Sequence, residues 1–103
     1  MMDMVEAIEG WAKERGLDKS DSSKQLIKLV EEVGELSEAH NKGWEAERAD
    51  SLGDMFVVMV IYAMQNNLHM EYCIDEAYET IKNRTGRTIN GVFVKDEDLK
   101  EDK

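Results

Sequence analysis

The feature that most constrains this chain is the run Met55-Phe-Val-Val-Met-Val-Ile-Tyr-Ala-Met64, which holds no charged or amide side chain. A segment apolar on every side has to be covered on nearly every side. Val57, Val58, Val60 and Ile61 are β-branched, so a buried strand is the alternative reading. The length of the run and its unbroken continuation from Asp50–Asp54 favour a helix from about Glu45 to about Asn67. The absence of proline from all 103 residues fits long uninterrupted helices. A single chain of this size covers one or two faces of a helix rather than all of them. The run therefore predicts a four-helix-bundle-like subunit in a homo-oligomer, a dimer or tetramer, with this helix near the interface.

Three further helices are predicted around it. The first runs from about Asp3 to Arg15, with Val5, Ile8, Trp11 and Ala12 at helical spacing and Gly16 as the residue that ends it. A short loop, Leu17 to Asp21, leads to a cluster of N-cap candidates, Ser20, Asp21, Ser22 and Ser23. The second helix places Leu26, Leu29, Val30, Val33, Leu36 and His40 on one stripe and ends near Asn41–Gly43. The fourth spans about Glu71 to Asn83, with Cys73 or Ile74, Ala77, Tyr78 and Ile81 facing inward. Turn signals at Thr85-Gly86-Arg87 and Asn90-Gly91 then separate Thr88-Ile89 from Val92-Phe93-Val94, a short extended pair. The fold class is thus all-α with a short β-like segment near the C-terminus. Residues 1–95 form one domain, and 96–103 are a charged, frayed tail.

Composition removes several classes of function. A net charge of −10 opposes a nucleic-acid backbone, whose affinity comes from lysine and arginine neutralising phosphates. The uncharged stretch from Met55 to Met70 is too short, and too polar at its end, to span a bilayer. A lone cysteine, Cys73, permits no intrachain disulfide, and Met1 to Arg15 has no signal-like character, so a cytoplasmic location is expected. An acidic chain can still take a polyphosphate substrate if divalent cations lie between the two negative partners.

The carboxylates are arranged for that. Glu32 and Glu35 stand about 60° apart on the second helix, immediately beside Leu29, Val33 and Leu36. Glu31 and Glu38 lie further round, toward solvent. On the third helix Asp50 and Asp54 share one side, and Glu47 falls roughly there too. Asp54 directly precedes Met55 and Phe56, where an unpartnered carboxylate is costly. A cation, an N-cap role, or a lysine or arginine from another helix would each satisfy it. Glutamate-rich helices are most often solvated faces, and that reading holds for Glu31 and Glu38 taken alone. No Cys or His lies at ligand spacing from these acids; His40 reads as a helix-end residue and His69 as a loop residue. Oxygen-only ligation points to Mg²⁺ or Mn²⁺. Met55, Met59 and Met64 read as core, and Trp11 and Trp44 as packing residues before base-stacking ones.

Glu31-Glu32-x-x-Glu35, followed after an interval by Gly53-Asp54 and a long apolar helix, resembles the MazG-like branch of the all-α nucleoside triphosphate pyrophosphohydrolases. Gln25-Leu26-x-Lys28-Leu29, Trp11 with Glu14-Arg15-Gly16-Leu17, and the ending Ile81-Lys82-Asn83-Arg84 through Asn90-Gly91-Val92-Phe93-Val94-Lys95 are similar to small stand-alone members, phage-encoded ones included. The resemblance covers about residues 5 to 95. It implies Mg²⁺-dependent hydrolysis of nucleoside triphosphates, deoxynucleoside ones foremost, to monophosphate and pyrophosphate. Glu32, Glu35, Asp50 and Asp54 would hold the metal, and Glu31 would orient or deprotonate the attacking water. Lys82 and Arg84 would hold phosphate oxygens, with ordinary surface charge as their plain alternative. The chain departs from the family's Glu-x-x-Asp at one place: Ser51 stands where the glutamate would be, and Asp50 is the neighbouring carboxylate. A literal Glu-x-x-Asp at Glu47 to Asp50 lies one turn too early.

A non-catalytic acidic interaction module is the chief rival, and Ser51 is its best support. Asp18–Glu31 lacks the alternating oxygen ligands and central glycine of a calcium-binding loop.

Overall fold

The structure is a computed structural model describing residues 2–101. It is mostly helical: α1 (Met2–Glu14), a 3₁₀ turn (Leu17–Lys19), α2 (Ser22–Lys42), α3 (Glu45–Gln65) and α4 (Met70–Lys82) are followed by strands β1 (Gly86–Ile89) and β2 (Val92–Lys95) and a short α5 (Asp96–Glu101). The four long helices and the C-terminal extended pair stand where the periodicity puts them. The chain divides into two compact units, Met1–Cys73 and Ile74–Lys103.

In the first unit α3 is the central element. α2 packs along it, and α1 and the 3₁₀ turn pack on it as well. This is why the apolar run is helical and why it needs apolar residues all round. Val58, Val60, Ile61 and Ala63 are buried, while Met55, Phe56, Val57, Met59, Tyr62 and Met64 are half-buried. α1 contributes Val5 and Ala12 to the core, and α2 contributes Ala39.

The helix ends follow backbone chemistry. Gly16 and Gly43 adopt left-handed φ of 69° and 70°, conformations that cost glycine little. Of the four N-cap candidates Asp21 is the one used, its carboxylate accepting a 3.0 Å hydrogen bond from the Ser23 N–H.

The α2 stripe is covered along one edge only: Leu29 and Leu36 are half-buried, but Leu26, Val30, Val33 and His40 are exposed. The stripe is broader than the single groove that α3 offers, so one edge stays uncovered. The inward face expected of α4 is also open. Cys73 and Ile74 are half-buried, whereas Ala77, Tyr78 and Ile81 are exposed, and no α4 residue is buried.

In the second unit β1 and β2 pair antiparallel in the register Ile89↔Val92 to Gly86↔Lys95. Asn90 and Gly91 both have positive φ, 53° and 80°, as a two-residue hairpin of right-handed twist demands. Gly86 is needed for a different reason, since a Cβ there would collide with the Val94 carbonyl oxygen. The tail expected to be frayed forms α5 over Asp96–Glu101 and packs on both strands. Its acidic first turn, Asp96, Glu97 and Asp98, suits a helix N-terminus. Residues 102–103 of that tail lie outside the described residues.

Candidate functional site

The antiparallel α2–α3 pair positions every acid singled out on those helices. The Gly43 turn reverses the chain, so the middle of α2 faces the first half of α3. Between them lies a cleft of about 300 Å³ with Glu35, Glu38 and Ala39 from α2 on one wall. Glu47, Asp50, Ser51 and Asp54 of α3 form the other, and Trp44 closes one end. Glu35, Asp50 and Asp54 are thus brought to one cavity. Ser51 is only 5% exposed and, with Ala39, makes its floor. Small residues at these two positions let the helices approach while leaving space above.

Glu32, one turn before Glu35 on α2, lies within electrostatic reach of Glu35 and Asp54. Its Oε2 is shut off from solvent without a hydrogen-bond partner, although the residue as a whole is half-buried. Loss of hydration raises its proton affinity first, and the negative charges of Glu35 and Asp54 add to that. A hydrogen bond with Glu35 acts the same way, because the bond requires one carboxyl to keep its proton. The charge of Lys28 acts against these effects.

Glu31 is exposed on α2 next to Glu32. Lys82 and Arg84 belong to the C-terminal unit, where Lys82 Nζ is held 2.8 Å from Glu79 Oε2. Arg84 lines a cleft of that unit with Thr85, Lys95, Asp96 and Glu97. Trp11 and Trp44 are each nearly half exposed, at 47% and 42%, so neither is a buried packing residue in the single chain. The guanidinium of Arg15 lies 4.2 Å from the Trp11 ring centroid and Lys42 Nζ 4.7 Å from that of Trp44. Glu38 is exposed, as its helix position implied, and it also lines the cleft wall. Its place there depends on how α2 crosses α3, which helical spacing does not encode.

The donor chemistry of the cluster fits a hard divalent cation. Every candidate ligand is a carboxylate oxygen, and an unpartnered acceptor faces two like charges that nothing in the described residues fully neutralises. The side chains are not drawn together as a closed ligand set: among the described residues no three acidic, imidazole or thiol groups converge at ligand separations. Holding an ion would require the glutamate side chains to turn toward Asp54.

Fold and cleft together define a small α-helical protein with an acidic groove between two antiparallel helices. Among the described residues no helix is long and apolar enough to cross a membrane. The chain is similar to the "Uncharacterized 18.2 kDa protein in rep-hol intergenic region" of Haemophilus phage HP1 (strain HP1c1), with 45% identity over 69 residues. The match covers 66% of this chain and 42% of that protein, so the chain spans less than half of its relative's length. No protein-family profile and no solved structure matches the chain.

Proposed function

We propose that this chain is a divalent-cation-dependent nucleoside triphosphate pyrophosphohydrolase of the MazG-like kind. The observation that carries the reading is Glu32: an acid with a buried, unpartnered oxygen, within electrostatic reach of Glu35 on its own helix and of Asp54 on α3. That arrangement costs a cation-free protein stability and gives a cation-bound one a site.

Glu32, Glu35, Asp50 and Asp54 would hold Mg²⁺ or Mn²⁺, which when bound neutralises the carboxylates and polarises phosphate oxygens. Glu31 lies one residue from Glu32, free of ion pairs among the described residues and open to solvent. Its carboxylate would take the proton of the attacking water. The oxygen of that water bonds to the α-phosphorus, the bond from that phosphorus to the bridging oxygen breaks, and pyrophosphate leaves a nucleoside monophosphate behind. Ser51 at the floor supplies no charge, so Asp50 takes the place of the fourth acid.

The same reading includes a homo-oligomer. Leu26, Ile27, Val30 and Val33 leave an apolar edge of α2 uncovered, and Met4, Ile8, Gly53, Phe56 and Val57 line an open apolar groove on α1 and α3. Sedimentation should show more than one copy per particle, and Val30→Asp should shift it toward monomer.

The test is a panel of ribo- and deoxyribonucleoside triphosphates with Mg²⁺ or Mn²⁺, resolved by phosphorus NMR. Monophosphate plus pyrophosphate is expected, lost with EDTA and in Asp54→Asn while helical circular dichroism is kept. Intact triphosphates throughout, with no metal-linked rise in melting temperature, would leave the non-catalytic acidic module as the better account.

A further inference from the structure

We propose that Lys28 binds the phosphate chain of the substrate, an assignment that rests on the hydrolase reading above. Lys28 lies one turn before Glu32 on α2, so the two side chains leave the helix about 40° apart. The face of α2 that bears Glu31 and Glu35 carries three lysines, Lys24 and Lys28 ahead of the acids and Lys42 after them. Lys42 is engaged, 3.4 Å from Glu38 Oε2 and stacked over Trp44. Lys24 stands close enough to the N-capping Asp21 to act on its charge. Lys28 forms no ion pair among the described residues and is exposed. Its positive charge is felt at Glu32, so it lies within electrostatic reach of the acids.

Two other cations of this unit are less well placed. Arg48 on α3 is turned about 120° from Asp54 around the helix. Arg15 lies against Glu14 and the Trp11 ring.

Charge balance gives the position its meaning. Divalent ions held by carboxylates spend most of their charge on those carboxylates, and a triphosphate brings several more negative charges. An ammonium on a flexible stem at the edge of the cluster can follow phosphate oxygens without fixed geometry. Lys28 thereby sets a direction: the phosphate chain runs along α2 toward its N-terminus, away from the Trp44 end of the cleft.

The test compares wild type with Lys28→Met and Lys28→Arg. Inorganic tripolyphosphate with Mg²⁺ is titrated calorimetrically, and steady-state kinetics are run on the triphosphate that the panel ranks first. Lys28→Met should weaken tripolyphosphate binding and raise KM roughly tenfold, with kcat changed less than about twofold. Lys28→Arg should recover most of both. The melting-temperature rise given by Mg²⁺ alone should be the same in all three proteins, which excludes a folding defect. Unchanged KM and tripolyphosphate affinity in Lys28→Met, in a wild type that does hydrolyse, would overturn this inference alone. A wild type that neither hydrolyses triphosphates nor binds tripolyphosphate would overturn the hydrolase reading and this inference together.

Discussion

Ser51→Glu is the substitution that most directly interrogates the cleft. The serine is 5% exposed at the floor between Ala39 and the surrounding acids. A glutamate there adds two heavy-atom steps of side chain and a charge to a closely packed helix contact. Overpacking alone costs about 1–3 kcal/mol, and like-charge repulsion from Glu35, Asp50 and Asp54 adds to it. With a melting shift of about 4–8 °C per kcal/mol for a domain of this size, the metal-free variant should melt roughly 5–20 °C below wild type. The added carboxylate also supplies the missing oxygen ligand, so a divalent ion should bind the variant more tightly. At a concentration about a hundredfold above its dissociation constant the ion returns about 2.7 kcal/mol, which offsets most of that loss. The assay is thermal denaturation followed by circular dichroism, with EDTA and across a Mg²⁺ titration. Ser51→Gln, of equal bulk and no charge, separates packing from electrostatics. The reasoning is refuted if Ser51→Glu and Ser51→Gln respond to Mg²⁺ identically, because position 51 would then not face an ion site.

Glu32→Gln tests the same cluster by pH. The folded state raises the proton affinity of Glu32 above the ordinary value of 4.5, so its contribution to stability is present below that pH. It is lost as pH rises through the raised folded value. In EDTA the variant should therefore melt above wild type at pH 7.5, with the gap closing toward pH 4, and it should lose the Mg²⁺ response; a lower melting point at pH 7.5 sinks the account. Val60→Ala tests the core: this side chain is 0% exposed, and removing two methyl groups should cost about 2–3 kcal/mol in urea unfolding. A loss below about 1 kcal/mol would mean that α3 is not the packed centre of its unit.

What was legible in the sequence depended on whether a signal was local. Helix spacing, the left-handed glycines and the Asn90-Gly91 turn are fixed by a few consecutive residues, and each stands where it was read. The acidic first turn of α5 is equally local, but a run of charges taken alone reads as a tail. Burial was less legible. Leu26, Val30 and Val33 differ little in character from Leu29 and Leu36, and periodicity says that a stripe wants cover without saying which edge a neighbour reaches. Glu32 and Asp54 could be singled out because each sits against apolar neighbours on its own helix. Glu38 and Lys28 could not. Each looks like an ordinary surface charge until a second helix or a neighbouring carboxylate gives it a place.

The hydrolase and the inert module separate on an energetic point. A helical module needs its α2–α3 seam only to be packed, and an apolar residue at position 32 would pack there with no loss of hydration and no repulsion. Surface acids keep such a protein soluble, and Glu6, Glu14, Glu31 and Asp98 already do so from exposed positions. Glu32 adds nothing to solubility through an oxygen that solvent does not reach, and it faces two charges of its own sign. A retained proton shared with Glu35 relieves part of that cost, and a cation between Glu32, Glu35 and Asp54 would relieve it with both acids ionised. Lys28 relieves part of it from outside the cleft, and a divalent ion would relieve the rest from within. Packing alone does not call for that arrangement, whereas the proposed binding of an anionic substrate to an acidic surface would use it.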